Sequence, residues 1–319
     1  MKFTDEDLRR YDDAVLRIAQ PKRKEYLDQV DRLIARLEKR IAEEGSFSVR
    51  TFRKAGSLKK GTVLRPLPGS AVDADVAVYL DQEDAAFDLD GLRALLRTLV
   101  RLVYPGKVDG DFTVNDKTLG ITFRDSGLDV DLVPVICDDV RGDGWGHQPS
   151  AGGGQVLTCI PGQLDFIAER KKRDARYRRV VRIAKRWRDW QELDELRSFP
   201  IELWVAYLLD TEGTCSSVED GLVRLFRWIA QSDLTQPVFF ADSGQTTPSI
   251  GDPVVTLDPV NADNNVTARI TEGERTAIVA AATEAFETLA YARRVGSPED
   301  TNALWVELVG PSFTVAEAP

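Results

Sequence analysis

An α+β fold with two lobes is predicted by three features of the sequence. Two segments, VDADVAVYL and LDVDLVPVI, alternate between apolar and other residues; a long amphipathic helical pattern precedes them; and the chain behind them is patterned almost entirely as helix. The boundary is expected near residue 160, giving a mixed-sheet lobe over 1–160 and a helical lobe over 161–319.

The elements follow in order. Asp5 to Ile18 reads as a short helix, which Pro21 separates from a long one. From Lys22 to Ala42, Tyr26, Leu27, Val30, Leu33, Ile34, Leu37 and Ile41 recur every three or four positions, and Gly45 stands just past the end as a stop. FSVRTF, from Phe47, alternates as a strand, and AGSLKKGTVLRPLPGS makes a loop with a short helix after Gly56-Ser57. VDADVAVYL, from Val72, is the clearest strand of the chain. Leu89 to Tyr104 reads as a helix ended by Pro105-Gly106. Strands are expected near Phe112–Val114 and Leu119–Phe123, and Asp125-Ser126-Gly127 turns into the strand LDVDLVPVI. Asp138 to Gly154 reads as glycine-rich loop, followed by helices over Leu164–Trp190, Ser198–Leu209, Ser217–Ala230 and Glu272–Val295. A polar loop, Gln231–Gln245, and the segment VVTLDPVNADNNVT lie between the last two.

Composition excludes several kinds of chemistry. His147 is the single histidine, so a histidine-rich metal site is impossible, and no G-x-S-x-G elbow accompanies it. It is expected to be a loop residue with a local hydrogen bond. Cys137, Cys159 and Cys215 are odd in number and far apart, with no C-x-x-C pair, and read as reduced apolar residues. No apolar run approaches the roughly 20 residues of a membrane span. The N-terminus is acidic and polar from the start, unlike a signal peptide, so a cytoplasmic location is expected. The formal net charge of -10 argues against binding long nucleic acid. Eleven Lys or Arg lie between Arg170 and Arg188 with one acid, Asp174, a concentration suited to a small polyanion such as a triphosphate. Trp187, Trp190, Trp204 and Trp228 are expected in the core.

Carboxylates are then the reactive groups to consider. Asp73 and Asp75 are two apart on a strand and share a face, with Val72, Ala74, Val76 and Val78 on the other. A D-x-D alone is more often a solvated strand face. Here the second strand repeats the arrangement with Asp129 and Asp131, and a sheet placing the two side by side gathers carboxylates as a two-metal site requires. Ahead of them Gly56-Ser57 offers close backbone approach, free N–H groups at a helix start and a hydroxyl. Gly56 and Gly61 have the spacing of a P-loop, but Thr62 and Val63 follow where Lys-Ser/Thr is needed, so that reading fails.

The set of GS, then D-x-D, then a third Asp on a later strand resembles the polymerase-β-like nucleotidyltransferase superfamily. GSLKKGTVLR, DADVAVYL and GLDVDLVPVI, with VVRIAKRW, SFPIEL and LDPVNADNNV further on, resemble the bacterial CD-NTases, most of all their clade C. These are relatives of cyclic GMP-AMP synthase and oligoadenylate synthase that make nucleotide second messengers in anti-phage (CBASS) defence. The likeness runs from about Phe47 to Val266. It implies a nucleotidyltransferase lobe with a mixed sheet, an oligoadenylate-synthase-like helical lobe, and a spine helix at the N-terminus joining them. It implies that Asp73, Asp75 and Asp131 are catalytic and hold two Mg2+ or Mn2+ ions. Gly56 and Ser57 would contact the triphosphate, and Lys185 and Ser198 would steady its β and γ phosphates. On periodicity alone Lys185 does not stand out from Arg182, and Asp129 stays outside the core set. The insertion-like LPGSAV between Ser57 and Asp73 departs from the family spacing. The implied activity joins nucleoside triphosphates, ATP expected among them, into a cyclic di- or trinucleotide with release of pyrophosphate. A HORMA-like regulatory partner and a nucleotide-activated effector are also implied. The alternatives are template-independent tailing of RNA, transfer to a small molecule, and a silent nucleotide-binding scaffold.

Overall fold

The computed structural model describes residues 4–45, 48–81, 89–115, 118–149, 154–295 and 297–314. Phe47, where the first strand was expected to begin, and most of the GGG run lie outside them. The chain forms two compact units: Ala19–Asp165, and Met1–Ile18 together with Phe166–Pro319. This division puts the sheet in one unit and the later helices in the other, but groups the first eighteen residues with the helices.

In the sheet unit, α2 (Gln20–Glu44) begins with Pro21 in its first turn, where the missing N–H is harmless. It ends at Gly45, whose φ of 61° closes the helix through a bond to Ile41. Tyr26, Val30, Leu33, Leu37 and Ile41 are buried, so the three-four spacing does mark the inner face. Each such side chain contributes about 1.5–3 kcal/mol relative to exposure. The sheet comprises β1 (Val49–Lys54), β2 (Val72–Leu80), β3 (Phe112–Val114), β4 (Leu119–Phe123), β5 (Leu128–Cys137), β6 (Trp145–Pro149) and β7 (Gln155–Cys159). Along the main path the order is β1-β2-β5-β4-β3, and β6 joins β5 and β7 beyond it. β2 and β5 are parallel and the other pairs antiparallel, with α4 (Leu89–Val103) in the crossover between them.

Position along β2 decides which face is open. Val72, Ala74, Val76, Val78 and Leu80 are buried throughout. On the opposite face Ala77 and Tyr79 pack with Val135, Cys137 and Ile160, and the Tyr79 hydroxyl donates to the Gly144 carbonyl at 2.8 Å. Along the first half of that face Asp73 still reaches solvent and Asp75 is half-buried.

Several expectations need correction. Residues 138–154 are not all loop: Trp145–Pro149 is a strand, and His147 pairs there with Ile136 because the Gly142 and Gly144 turns fold the chain back onto β5. The helix expected over Leu164–Trp190 is two, α5 (Ile160–Arg173) and α6 (Tyr177–Trp190). Asp174 breaks it, since its carboxylate accepts from the Arg176 and Cys215 backbone N–H groups. Trp187, Trp204 and Trp228 are buried, whereas Trp190 is 47% exposed and donates its indole N–H to the Glu307 carbonyl.

The helical unit also contains α1 (Asp5–Tyr11) with a π turn (Asp12–Leu16), α7 (Ser198–Glu212), α8 (Val218–Ser232), α9 (Glu272–Ala292) and α10 (Pro298–Val309); the last was not foreseen. LDPVNADNN makes a small hairpin, β8 (Leu257–Asp258) with β9 (Asn261–Asn265). Asp258 is wholly buried there and accepts from Val260 N and Asn264 Nδ2, while Asn265 bonds Thr256, Thr267 and Val254. These polar residues hold the hairpin together by satisfying buried backbone groups.

Candidate active site

The parallel register of β2 and β5 sets the site. Asp73 lies opposite Asp129 and Asp75 opposite Asp131, so the side-chain period of two puts all four carboxylates on one face. Val72, Ala74, Leu128, Val130 and Leu132 alternate with them and are buried on the other. Two D-x-D strands thus become a two-by-two array on the rigid centre of a sheet.

The turn before β2 is fitted to it. Gly56 opens α3 (Gly56–Lys60), and the Ala55 N–H donates to the Asp75 carbonyl at 2.8 Å, tying the turn to the strand. Gly56 has a φ of +64°, and a Cβ there would fall 1.6 Å from Asp75 Oδ2. Glycine is therefore required twice, by the left-handed backbone and by the carboxylate lying where a side chain would begin. Ser57 follows in the first helical turn, where N–H groups have no intrahelical acceptor. Just before β4, Thr118 donates to Asp131 Oδ1 at 3.4 Å, and on β4 Gly120 leaves room beside it, since a Cβ would come within 3.1 Å of that oxygen. Neither residue was singled out from the sequence; only the β4–β5 register brings them to Asp131.

The electrostatics are those of crowded anions. The Asp73 carboxyl is raised above the usual aspartate range by burial first and then by the charges of Asp131 and Asp129. Asp131 is raised by burial and by Asp129, against a lowering from the Thr118 hydrogen bond. Oxygen-only ligands of this charge suit a hard divalent cation, and Asp129 Oδ1, shielded from solvent without a hydrogen-bond donor, is a further sign that charge here awaits a partner. Among the described residues no three acidic, histidine or cysteine side chains converge closely enough to hold a metal ion as they stand. On neighbouring strands in register, rotation about the side-chain bonds is the movement needed to bring them together.

Lys185 and Ser198 belong to the helical unit. Lys185 is 2% exposed, and its Nζ lies 2.9 Å from Oε1 of Glu202, which is wholly buried. Ser198 begins α7, and its hydroxyl accepts from Arg188 at 3.3 Å. The basic run around them is largely matched by acids from elsewhere in the same unit. Arg170 bonds Asp210 and Asp242 at 2.6 and 2.5 Å, Arg179 reaches Asp12 and Asp13, and Arg182 bonds both oxygens of Asp12 at 2.6 Å. The concentration of positive charge seen in the sequence is thus mostly internal neutralisation.

A mixed sheet carrying in-register aspartates on its central parallel pair, with a Gly-Ser turn built against one of them, defines a nucleotidyltransferase. No family model matches the chain. It is, however, 39% identical over 320 aligned residues, the full length of both proteins, to the CBASS oligonucleotide cyclase CdnC of Escherichia coli strain KTE188. It is 32% identical to the cyclic AMP-AMP-AMP synthase of E. coli strain MS 115-1, covering 95% of this chain and 96% of that protein. Among solved structures, the E. coli MS115-1 CdnC:HORMA-deltaN complex matches with a TM-score of 0.84 at 31% identity, covering 98% of each chain. The chain belongs to the CBASS oligonucleotide cyclases, the CD-NTase nucleotidyltransferases. Among the described residues no helix is long and apolar enough to cross a membrane.

Proposed function

We propose that this enzyme joins nucleoside triphosphates, ATP among them, into a cyclic di- or trinucleotide second messenger in anti-phage signalling, releasing pyrophosphate. The observation that carries the reading is the register of Asp73 and Asp75 with Asp129 and Asp131, beside the Gly56-Ser57 turn. Asp73, Asp75 and Asp131 would hold two Mg2+ or Mn2+ ions, and their all-oxygen donor set fits those cations. When bound, such ions neutralise phosphate charge and make an acceptor hydroxyl more acidic.

The chain's own residues do the rest. Gly56 brings the backbone close to the triphosphate, and the Ser57 hydroxyl and the N–H groups of the first turn of α3 donate to it. Because Ala55 is bonded to β2, that turn and the Asp75 carboxylate hold a fixed relation before substrate arrives, which lowers the reorganisation needed for in-line attack on the α-phosphate. Lys185 and Ser198 are proposed as contacts of the β and γ phosphates, as the family likeness implies. Lys185 takes that role only by sharing or leaving Glu202, so Glu202 sets how readily its ammonium is released. The relative whose structure was solved as a HORMA complex supports a regulatory partner of that kind here, and a nucleotide-activated effector would read the product.

The test is incubation of the purified protein with each labelled triphosphate, singly and together, with Mg2+ or Mn2+, followed by phosphatase treatment and mass analysis. A phosphatase-resistant product of cyclic dinucleotide or trinucleotide mass is expected. Extension of an added oligonucleotide instead would make it a tailing enzyme. Binding of ATP without pyrophosphate release, even with a HORMA partner added, would make it a scaffold.

A further inference from the structure

The sheet presents one carboxylate more than the three-aspartate arrangement uses. Asp129 stands two residues before Asp131 on β5 and directly beside Asp73 on β2, so its Cβ projects to the same face as the other three. Its Oδ1 is sealed from solvent and accepts no hydrogen bond from any described residue, whereas Asp131 Oδ1 accepts from Thr118. Leaving a carboxylate oxygen buried with no donor costs stability, and a hard divalent cation is the partner that would satisfy it. Lys107 is a cation near enough to feel Asp129, but Asp111 and Asp125 act on that lysine as well. The Lys107 ammonium donates to the Thr122 carbonyl and lies 4.2 Å over the Phe123 ring, so it is engaged away from the Asp129 oxygen.

We propose that Asp129 is a fourth carboxylate of the metal centre, holding a divalent cation together with Asp73, Asp75 and Asp131 and strengthening its capture before the triphosphate arrives. This rests on the reading of the face as a metal site. A four-carboxylate set carries one more negative charge than the three-aspartate arrangement, so its cation affinity in the absence of nucleotide should be correspondingly higher.

The experiment titrates the full-length protein with Mn2+ alone and follows free Mn2+ by electron paramagnetic resonance. It compares wild type, Asp129→Asn, Asp129→Ser and, as reference, Asp131→Asn, each checked for folding by circular dichroism and melting. Wild type is expected to bind Mn2+, and Asp129→Asn to weaken binding about tenfold, in the range that lost metal-site groups give. Asp129→Ser repeats the test with a second side chain should the amide disturb packing. If both Asp129 variants bind as wild type while Asp131→Asn does not, the fourth ligand is refuted and the three-aspartate reading stands. A lower melting temperature with unchanged Mn2+ affinity would make Asp129 a counter-charge for Lys107 and would also overturn the proposal. Absence of Mn2+ binding in wild type would remove the nucleotide-free capture, and equal affinity in Asp131→Asn would undo the metal-site reading itself.

Discussion

The carboxylate face of the sheet and the basic helix α6 are both crowded with charge, and they manage it in opposite ways. On α6 the cations are met by acids within the same unit: Asp12 takes Arg182 in a two-oxygen pair, Glu202 takes Lys185, and Arg179 shares Asp12 and Asp13. On the sheet, Asp73, Asp129 and Asp131 have no ion-pair partner among the described residues, and burial together with neighbouring carboxylates raises Asp73 and Asp131. Folding selects for neutralised charge, because an unpaired ion out of water is expensive. Charge left unneutralised at a fixed place is therefore the stronger sign of function, and a conspicuous basic run is the weaker one.

The sharpest way to break this contrast is to remove charge from each region and compare what is lost. Asp73→Asn combined with Asp75→Asn should lower product formation by at least about a thousandfold, since it removes the groups proposed to hold the cations. Circular dichroism should stay close to wild type and the melting temperature should not fall, because the amides remove repulsion between neighbouring carboxylates. Product formed at wild-type rate by the folded double variant would end the assignment. On α6 the opposite result is expected. Asp12→Ala leaves Arg182, about 5% exposed, buried without its bidentate partner. Breaking such a pair costs about 3–5 kcal/mol, read as an earlier urea midpoint. A stability matching wild type would mean that the buried pairs of α6 are not what holds the helix.

A smaller effect sharpens the comparison within the site. Gly56→Ala must move Asp75, whose Oδ2 lies 1.6 Å from where the new Cβ would stand, and must adopt a φ of +64°. The backbone penalty is about 1 kcal/mol, whereas displacing a positioned carboxylate should lower turnover about a hundredfold. The expected signature is thus a large loss of rate with a small loss of stability. Equal loss of both would show the glycine to be needed only for the turn.

Much of this was legible in the sequence, for local reasons. Strict alternation fixed the faces of β2 and β5, and the three-four spacing fixed the buried stripe of α2, because both depend only on the geometry of one element. That Asp73 faces Asp129 was inferable only as a possibility of the sheet, since register is a property of two strands. Thr118 and Gly120 could not be found at all, because nothing in TLGITF says which strand it joins. The helix break at Asp174 was invisible for a related reason. Its carboxylate serves Arg176 locally but also Cys215, forty-one residues on. Periodicity continued through it as though the helix did. The basic run misled most, because the partners of Arg179 and Arg182 come from Asp12 and Asp13 at the far end of the chain.

The smallest effect concerns the stability of the protein without metal. Burial and neighbouring carboxylates hold Asp73 and Asp131 above the usual aspartate range, so the folded protein keeps those protons more tightly than the unfolded chain. The sign follows. These two groups leave stability untouched at low pH, and they destabilise progressively as pH rises from the ordinary aspartate pKa through the raised one. Above both, the penalty is complete. Asp131→Asn cannot ionise and escapes its part of it. In the absence of divalent cations its melting temperature should match wild type near pH 3 and exceed it at pH 7. Mg2+ or Mn2+ should then raise wild type towards the variant, because a cation offsets the repulsion that the amide has removed. A variant that melts below wild type at pH 7 without metal would mean that the Thr118 hydrogen bond outweighs the repulsion, and the face would be less strained than its crowding implies.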